Sequence, residues 1–76
     1  LASSPNPFDN ESILSIGENG GTLSITDITG KMVETLKVQK NEKILIGKNF
    51  KKGVYLVKLV SDKGAISSIK LIKTGE

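Results

Sequence analysis

The sequence predicts an all-β fold, a sandwich or a small barrel, on three observations. Short apolar runs of strand period recur along the chain, turn residues separate them, and no segment of ten or more residues sustains a 3.6-residue helical repeat. Six runs carry the pattern, and an extended "PNPF" (Pro5–Phe8) would supply a seventh strand. Both prolines, Pro5 and Pro7, sit there, at an edge or before the first paired strand, where a missing N–H breaks no central ladder.

"SILSIG" (Ser12–Gly17) is the first aliphatic run, and "TLSITD" (Thr22–Asp27) alternates, with Leu23 and Ile25 on one face. The intervening "ENGG" predicts a tight hairpin, because Asn and Gly tolerate positive φ. "ITGK" turns the chain into "MVETLKV" (Met32–Val38), where Met32, Leu36 and Val38 share a parity that Glu34 interrupts and Val33 breaks. A bulge near Val33–Thr35 reconciles the pattern. "QKNEK" then leads to "ILIG" (Ile44–Gly47), and the loop "KNFKKG" to "VYLVKLV" (Val54–Val60), with Tyr55, Val57 and Leu59 facing inward and Lys58 outward. "DKG" returns the chain into "AISSIKLIK" (Ala65–Lys73), where Ile69 and Leu71 point one way and Lys70 the other. The expected common core is Leu23, Ile25, Tyr55, Val57, Leu59, Ile69 and Leu71.

A 76-residue chain is one domain with a thin core, since a domain of this size buries only about 60% of the surface its unfolded chain exposes. It holds no Cys and no His, which removes disulfides, thiolate chemistry, His-based metal sites and any His general base. No apolar stretch approaches the ~20 residues of a membrane span. The start, "LASSPNPFDNES", is polar, Pro-broken and acidic rather than a basic leader with an apolar core, and residues 1–7 read as an extended, protease-accessible linker from an upstream domain.

The residues that could carry chemistry do not assemble into a specific motif. "DITG" (Asp27–Gly30) has one residue more than an aspartic-protease loop and no second copy, so it reads as a turn. "GENGG" (Gly17–Gly21) precedes a strand, whereas a phosphate-cradling loop opens a helix. Asp9, Asn10 and Glu11 supply too few oxygens for a calcium ion that takes six to eight. "NES" (Asn10–Ser12) fits a glycosylation triplet common by chance, and Ser-Lys pairs occur in any chain rich in both. No catalytic residue, metal ligand or cofactor is therefore assigned.

Charge is unevenly placed. Lys48–Lys73 holds seven lysines and one acid, a net +6, whereas residues 1–47 carry a net −2. The bias favours an anionic partner through long-range attraction, although lysines also blunt strand edges against aggregation. A nucleic-acid partner is disfavoured: the chain has no Arg for bidentate phosphate contacts and only Phe8, Phe50 and Tyr55 for base stacking. No small-molecule substrate is indicated.

Four stretches in order, "PNPF" (Pro5–Phe8), "LSITDITGKMV" (Leu23–Val33), "FKKGVYLVKL" (Phe50–Leu59) and "ISSIKLIK" (Ile66–Lys73), resemble the type A C-terminal sorting domain of the type IX secretion system of Bacteroidetes. The resemblance implies a small immunoglobulin-like antiparallel β-sandwich of about six or seven strands, spanning residues 8–76, that directs cargo and catalyses nothing. It implies an upstream cargo domain in the same chain, recognition by an outer-membrane translocon and shuttle, removal by a sortase, and a route through the periplasm to the cell surface. Gly53 and Tyr55 match the family's Gly-x-Tyr element, and Lys70, Leu71, Ile72 and Lys73 match its terminal basic-apolar strand; these six are the expected sorting residues. Asp27 and Gly30 match the central turn. Lys31 stands where the family often has Arg, and "TGE" runs past the usual final Lys. Lys70 and Lys73 are expected on an exposed face of a strand with one open edge, so that reversing both charges would leave the fold nearly intact. The rival expectation is an immunoglobulin-like accessory or carbohydrate-binding module, with Phe8 or Phe50 as the sugar platform.

Overall fold

The computed structural model describes residues 1–75 and contains seven strands: β1 (Ala2–Ser4), β2 (Ser12–Ser15), β3 (Gly21–Asp27), β4 (Met32–Val38), β5 (Lys43–Ile46), β6 (Gly53–Ser61) and β7 (Ile66–Lys73). They form two antiparallel sheets, ordered β1-β2-β5 and β4-β3-β6-β7, packed as a small sandwich. The sandwich is closed by alternate side chains. Leu14, Ile16 and Ile46 point inward from the smaller sheet, against Leu23, Ile25, Val38, Tyr55, Val57, Leu59 and Leu71 from the larger, and Phe8 completes the cluster. Leu14, Leu23, Ile25, Val57 and Leu71 are fully buried, each contributing roughly 1.5–3 kcal/mol of apolar burial. Six of the seven residues expected in the core are thus buried, and Ile69 packs half-buried against them.

Two hairpins share one construction. Asp27-Ile28-Thr29-Gly30-Lys31 joins β3 to β4 and Ser61-Asp62-Lys63-Gly64-Ala65 joins β6 to β7. In each, the first residue donates its N–H to the fifth residue's carbonyl (3.0 and 2.8 Å) and accepts from the glycine N–H (3.0 and 2.9 Å). The glycines adopt φ of 90° and 86°, the left-handed position that a three-residue loop requires. The first side chain also caps the loop. Asp27 Oδ1 accepts from Thr29 N–H (2.9 Å), Thr29 Oγ1 (2.6 Å) and Lys31 N–H (3.0 Å), while Ser61 Oγ accepts from Lys63 and Ala65 N–H at 3.2 and 3.0 Å.

The expected "ENGG" hairpin does not form. β2 and β3 belong to different sheets, so Gly17–Gly20 crosses the sandwich, and Asn19 and Gly20 keep negative φ. The glycines serve close approach instead: a Cβ on Gly21 would lie 2.1 Å from the Val60 carbonyl oxygen, and one on Gly20 would lie 2.5 Å from that of Val38. Such glycines look like a turn in sequence because composition reports permissiveness without its reason.

The bulge is at Val33: Ile25 pairs Glu34 while Thr26 pairs Met32, leaving Val33 as the extra residue. Met32 is thereby turned to the face opposite Leu36 and Val38, where it is exposed. The seventh strand is Ala2–Ser4 rather than Pro5–Phe8. It pairs with β2, in register Ala2↔Ser15 to Ser4↔Ile13, so residues 2–4 are bound along a sheet edge. Pro5–Phe8 is not a strand and makes one isolated parallel bridge, Phe8↔Lys73.

Candidate functional site

Tyr55 is set by strand period on the inner face of β6, where it is buried. Its hydroxyl donates to the Lys51 carbonyl at 2.5 Å, and its ring stacks on half-buried Phe50 with centroids 4.6 Å apart. A tyrosine near the start of this strand, bonded to backbone a few residues upstream, is the tyrosine corner of immunoglobulin-like sandwiches. It pins the "KNFKKG" loop to the sheet. Gly53, two residues earlier, adopts φ 154° with open space around it, so backbone conformation rather than crowding selects glycine there.

β7 lies along β6 in the register Gly53↔Lys73, Tyr55↔Leu71, Val57↔Ile69. The inward parity is therefore Ile69, Leu71 and Lys73. Lys73 is 1% exposed, contrary to the expectation that it presents a surface charge. Its Nζ donates to the carbonyls of Gly47 (2.5 Å) and Lys48 (3.1 Å) and lies 5.9 Å from the centroid of the Phe8 ring. A buried ammonium is tolerated when carbonyl dipoles and an aromatic face replace its hydration. Gly47 completes the seat, since a Cβ there would come 2.4 Å from the Phe8 ring.

The outer edge of β7, expected to be open, is also occupied over its second half. Asn6 takes the part of a strand residue with its side-chain amide: Oδ1 accepts from Ile72 N–H (3.1 Å) and Nδ2 donates to the Lys70 carbonyl (2.7 Å). Phe8 N–H donates to the Ile72 carbonyl at 2.9 Å, and Thr74 N–H donates to the Phe8 carbonyl at 2.8 Å. Residues 6–8 thus form a clasp over Lys70–Thr74. Of the six expected sorting residues, Gly53, Tyr55, Leu71 and Lys73 serve the fold, Ile72 is half-buried, and Lys70 alone is exposed.

The outer face of the larger sheet was not singled out from sequence. Cross-strand register arranges it in rows: Met32-Thr26-Leu56-Lys70, Thr35-Ser24-Lys58-Ser68 and Lys37-Thr22-Val60-Ile66, with Val54 beside Ile72 at one end. Leu56 is 47% and Ile66 64% exposed, and Lys37, Lys58 and Lys70 stand free of the surface. Every residue turned to this face in the four strands is apolar, hydroxylated or lysine, and none is acidic. The signal available in sequence was the alternation of Leu56, Lys58 and Val60 opposite the core parity, which reads as ordinary solvent exposure until the neighbouring strands are known.

No triad of Asp or Glu side chains placed to hold a metal occurs among the described residues. The aromatic platform of a sugar-binding module is also missing where it was sought, since Phe8 is in the core and Phe50 is half-buried against Tyr55. Neither a curated protein nor a solved structure matches the chain. The family model described as the secretion system C-terminal sorting domain matches residues 4–74, from the end of β1 through the tyrosine corner to the clasped end of β7. The chain therefore belongs to the C-terminal sorting domain family of the type IX secretion system.

Proposed function

We propose that this domain is a non-catalytic address: it directs an upstream cargo domain through the outer-membrane translocon of the type IX system, and a surface sortase then removes it. The observation that supports the reading is the family match over residues 4–74. The cargo joins through the segment before Phe8, and cleavage falls at or upstream of residues 1–7, ahead of the Phe8 that anchors the clasp to β7. Partners are the translocon, its shuttle and the sortase, with neither nucleic acid nor a small-molecule substrate.

The test fuses the 76-residue chain behind a signal peptide and a reporter enzyme in a host with a type IX system. Reporter at the surface or in the medium is the expected result. Reporter retained in the periplasm, to the same extent as a fusion to an unrelated β-sandwich of equal size, overturns the proposal.

A further inference from the structure

We infer that the outer face of the β4-β3-β6-β7 sheet, centred on Leu56, Lys58 and Lys70, is a docking surface for an acidic protein partner that places an apolar side chain beside Leu56. The inference rests on the proposed function and names which surface of the domain is read.

β7 has four sides, of which two are taken and a third is taken over its second half. Its inner face is core, one edge pairs with β6, and the other edge is held from Lys70 to Thr74 by Asn6 and Phe8. A partner adding a strand at that stretch would have to displace the clasp. The outer face is open along the whole strand, and there Lys70 sits directly opposite Leu56 and Ser68 opposite Lys58. Beside them lies a shallow cleft of about 300 Å³, walled by Ile28, Thr26, Val54, Leu56 and Lys70. Its wall is almost wholly apolar, and Ile28 at its rim is 80% exposed. A cleft that accepts one apolar side chain, with Lys70 on its rim and Lys58 in the next row of the sheet, is the form of an interface anchor beside a steering charge.

The chemistry of the partner follows from what the face lacks. Lys37, Lys58 and Lys70 meet no carboxylate on it, so the complementary surface is acidic. Asp27 is the acidic side chain that borders the cleft, its Oδ1 held in the turn by the Thr29 hydroxyl and the backbone N–H groups of Thr29 and Lys31, so the acidic complement lies over the lysine rows of the sheet and not over that turn. A second copy of the chain is a poor occupant, because a two-fold contact would bring the same lysines together. A lipid surface is a poor one too: the face presents no Trp, Tyr or Phe to sit at a headgroup boundary.

The experiment uses the reporter fusion with Lys58→Glu and Lys70→Glu together, the same pair changed to Arg, and a control pair away from the face, Lys43→Glu and Lys63→Glu. Thermal unfolding of each domain is measured alongside. The expected result is at least tenfold less surface reporter for the Glu pair, with an unchanged melting temperature, and near-normal display for the Arg and control pairs. Leu56→Asp, a second route into the same cleft, should reproduce the loss. Display of the Glu pair and of Leu56→Asp at the level of the unaltered fusion overturns the docking surface while the sorting role stands. Loss of display in the control pair as well shows dependence on net charge and also overturns it. Binding of the isolated domain to phosphatidylglycerol vesicles that the Glu pair abolishes assigns the face to lipid and refutes a protein partner. Retention of the unaltered fusion removes the sorting role and this inference with it.

Discussion

Lys70 and Lys73 are three residues apart on one strand, and charge reversal should separate them sharply. Lys70 is exposed on the outer face of β7, so Lys70→Glu should change stability by no more than about 0.5 kcal/mol. Lys73→Glu withdraws two charge-assisted donors from the Gly47 and Lys48 carbonyls, each worth roughly 1.5–3 kcal/mol. It also directs a carboxylate at those oxygens in a site that is 1% exposed. The loss is therefore about 3 kcal/mol or more, out of the roughly 4–11 kcal/mol usual for a domain of this length. At roughly 4–8 °C per kcal/mol, the melting temperature should fall by about 12 °C or further. Lys73→Met keeps the stem against Phe8, loses the donors and buries no charge, so its loss should fall between those of Lys70→Glu and Lys73→Glu. Thermal unfolding of the purified domain, followed by far-ultraviolet circular dichroism at neutral pH, measures all three. Equal melting temperatures for Lys70→Glu and Lys73→Glu would refute the buried-cation argument and return Lys73 to the surface.

Other substitutions test separate parts of the fold. Leu59→Ala, at a core position 5% exposed, should cost about 2–5 kcal/mol in urea unfolding, and a loss under about 0.5 kcal/mol would refute the inward parity of β6. Asn6→Ala removes the acceptor of the Ile72 N–H, so the Ile72 amide should exchange with solvent faster in NMR while the amides of β3 do not change; unaltered protection would mean that Asn6 does not hold the edge. The Asp27 carboxyl is held below the usual aspartate range, chiefly by the Thr29 hydroxyl, with backbone N–H groups of Lys31 and Thr29 adding to it and partial burial opposing. A depressed carboxyl stabilises the fold above its unfolded pKa of about 4, and that contribution disappears as pH falls through the lower folded value. Melting temperature between pH 6 and 2 should therefore decline less steeply in Asp27→Asn than in the unaltered domain, and parallel curves would remove Asp27 as a source of acid sensitivity.

Strand period carried most of the fold because the larger sheet buries one face only. Tyr55, Val57 and Leu59 against Lys58, and Ile69 and Leu71 against Lys70, can alternate in just one way, and both hairpin loops are written in residues that need their own geometry, Asp27 with Gly30 and Ser61 with Gly64. Sheet membership was not legible. The run before "ENGG" and the run after it are each good strands, and only their packing decides whether Gly20 and Gly21 turn a hairpin or let strands from two sheets pass closely. The burial of Lys73 is hidden in the sequence for a related reason. Lys73 has the parity of Leu71, which is visible in sequence, but the two carbonyls that accommodate its charge come from 26 and 25 positions earlier in the chain and the aromatic ring from Phe8, so nothing near it in sequence marks it as buried. Likewise Phe8, offered as a sugar platform, is a core residue that only the clasp explains.

The clasp also decides what kind of experiment can locate the address. Phe8 and Leu71 are fully buried members of the same core, and the segments that carry them are bonded to each other from Asn6 to Thr74. Deleting Ile69–Glu76, or cutting between Phe8 and Ser12, therefore removes core side chains and edge hydrogen bonds together. In a domain with a core this small, such a loss is comparable to the whole stability. A truncated variant that stays in the periplasm would show that an unfolded domain is not exported, whichever residues the machinery reads. Substitutions on the outer face, at Leu56, Lys58 and Lys70, leave core and clasp untouched, so a loss of display there with an unchanged melting temperature assigns recognition to a surface rather than to foldedness.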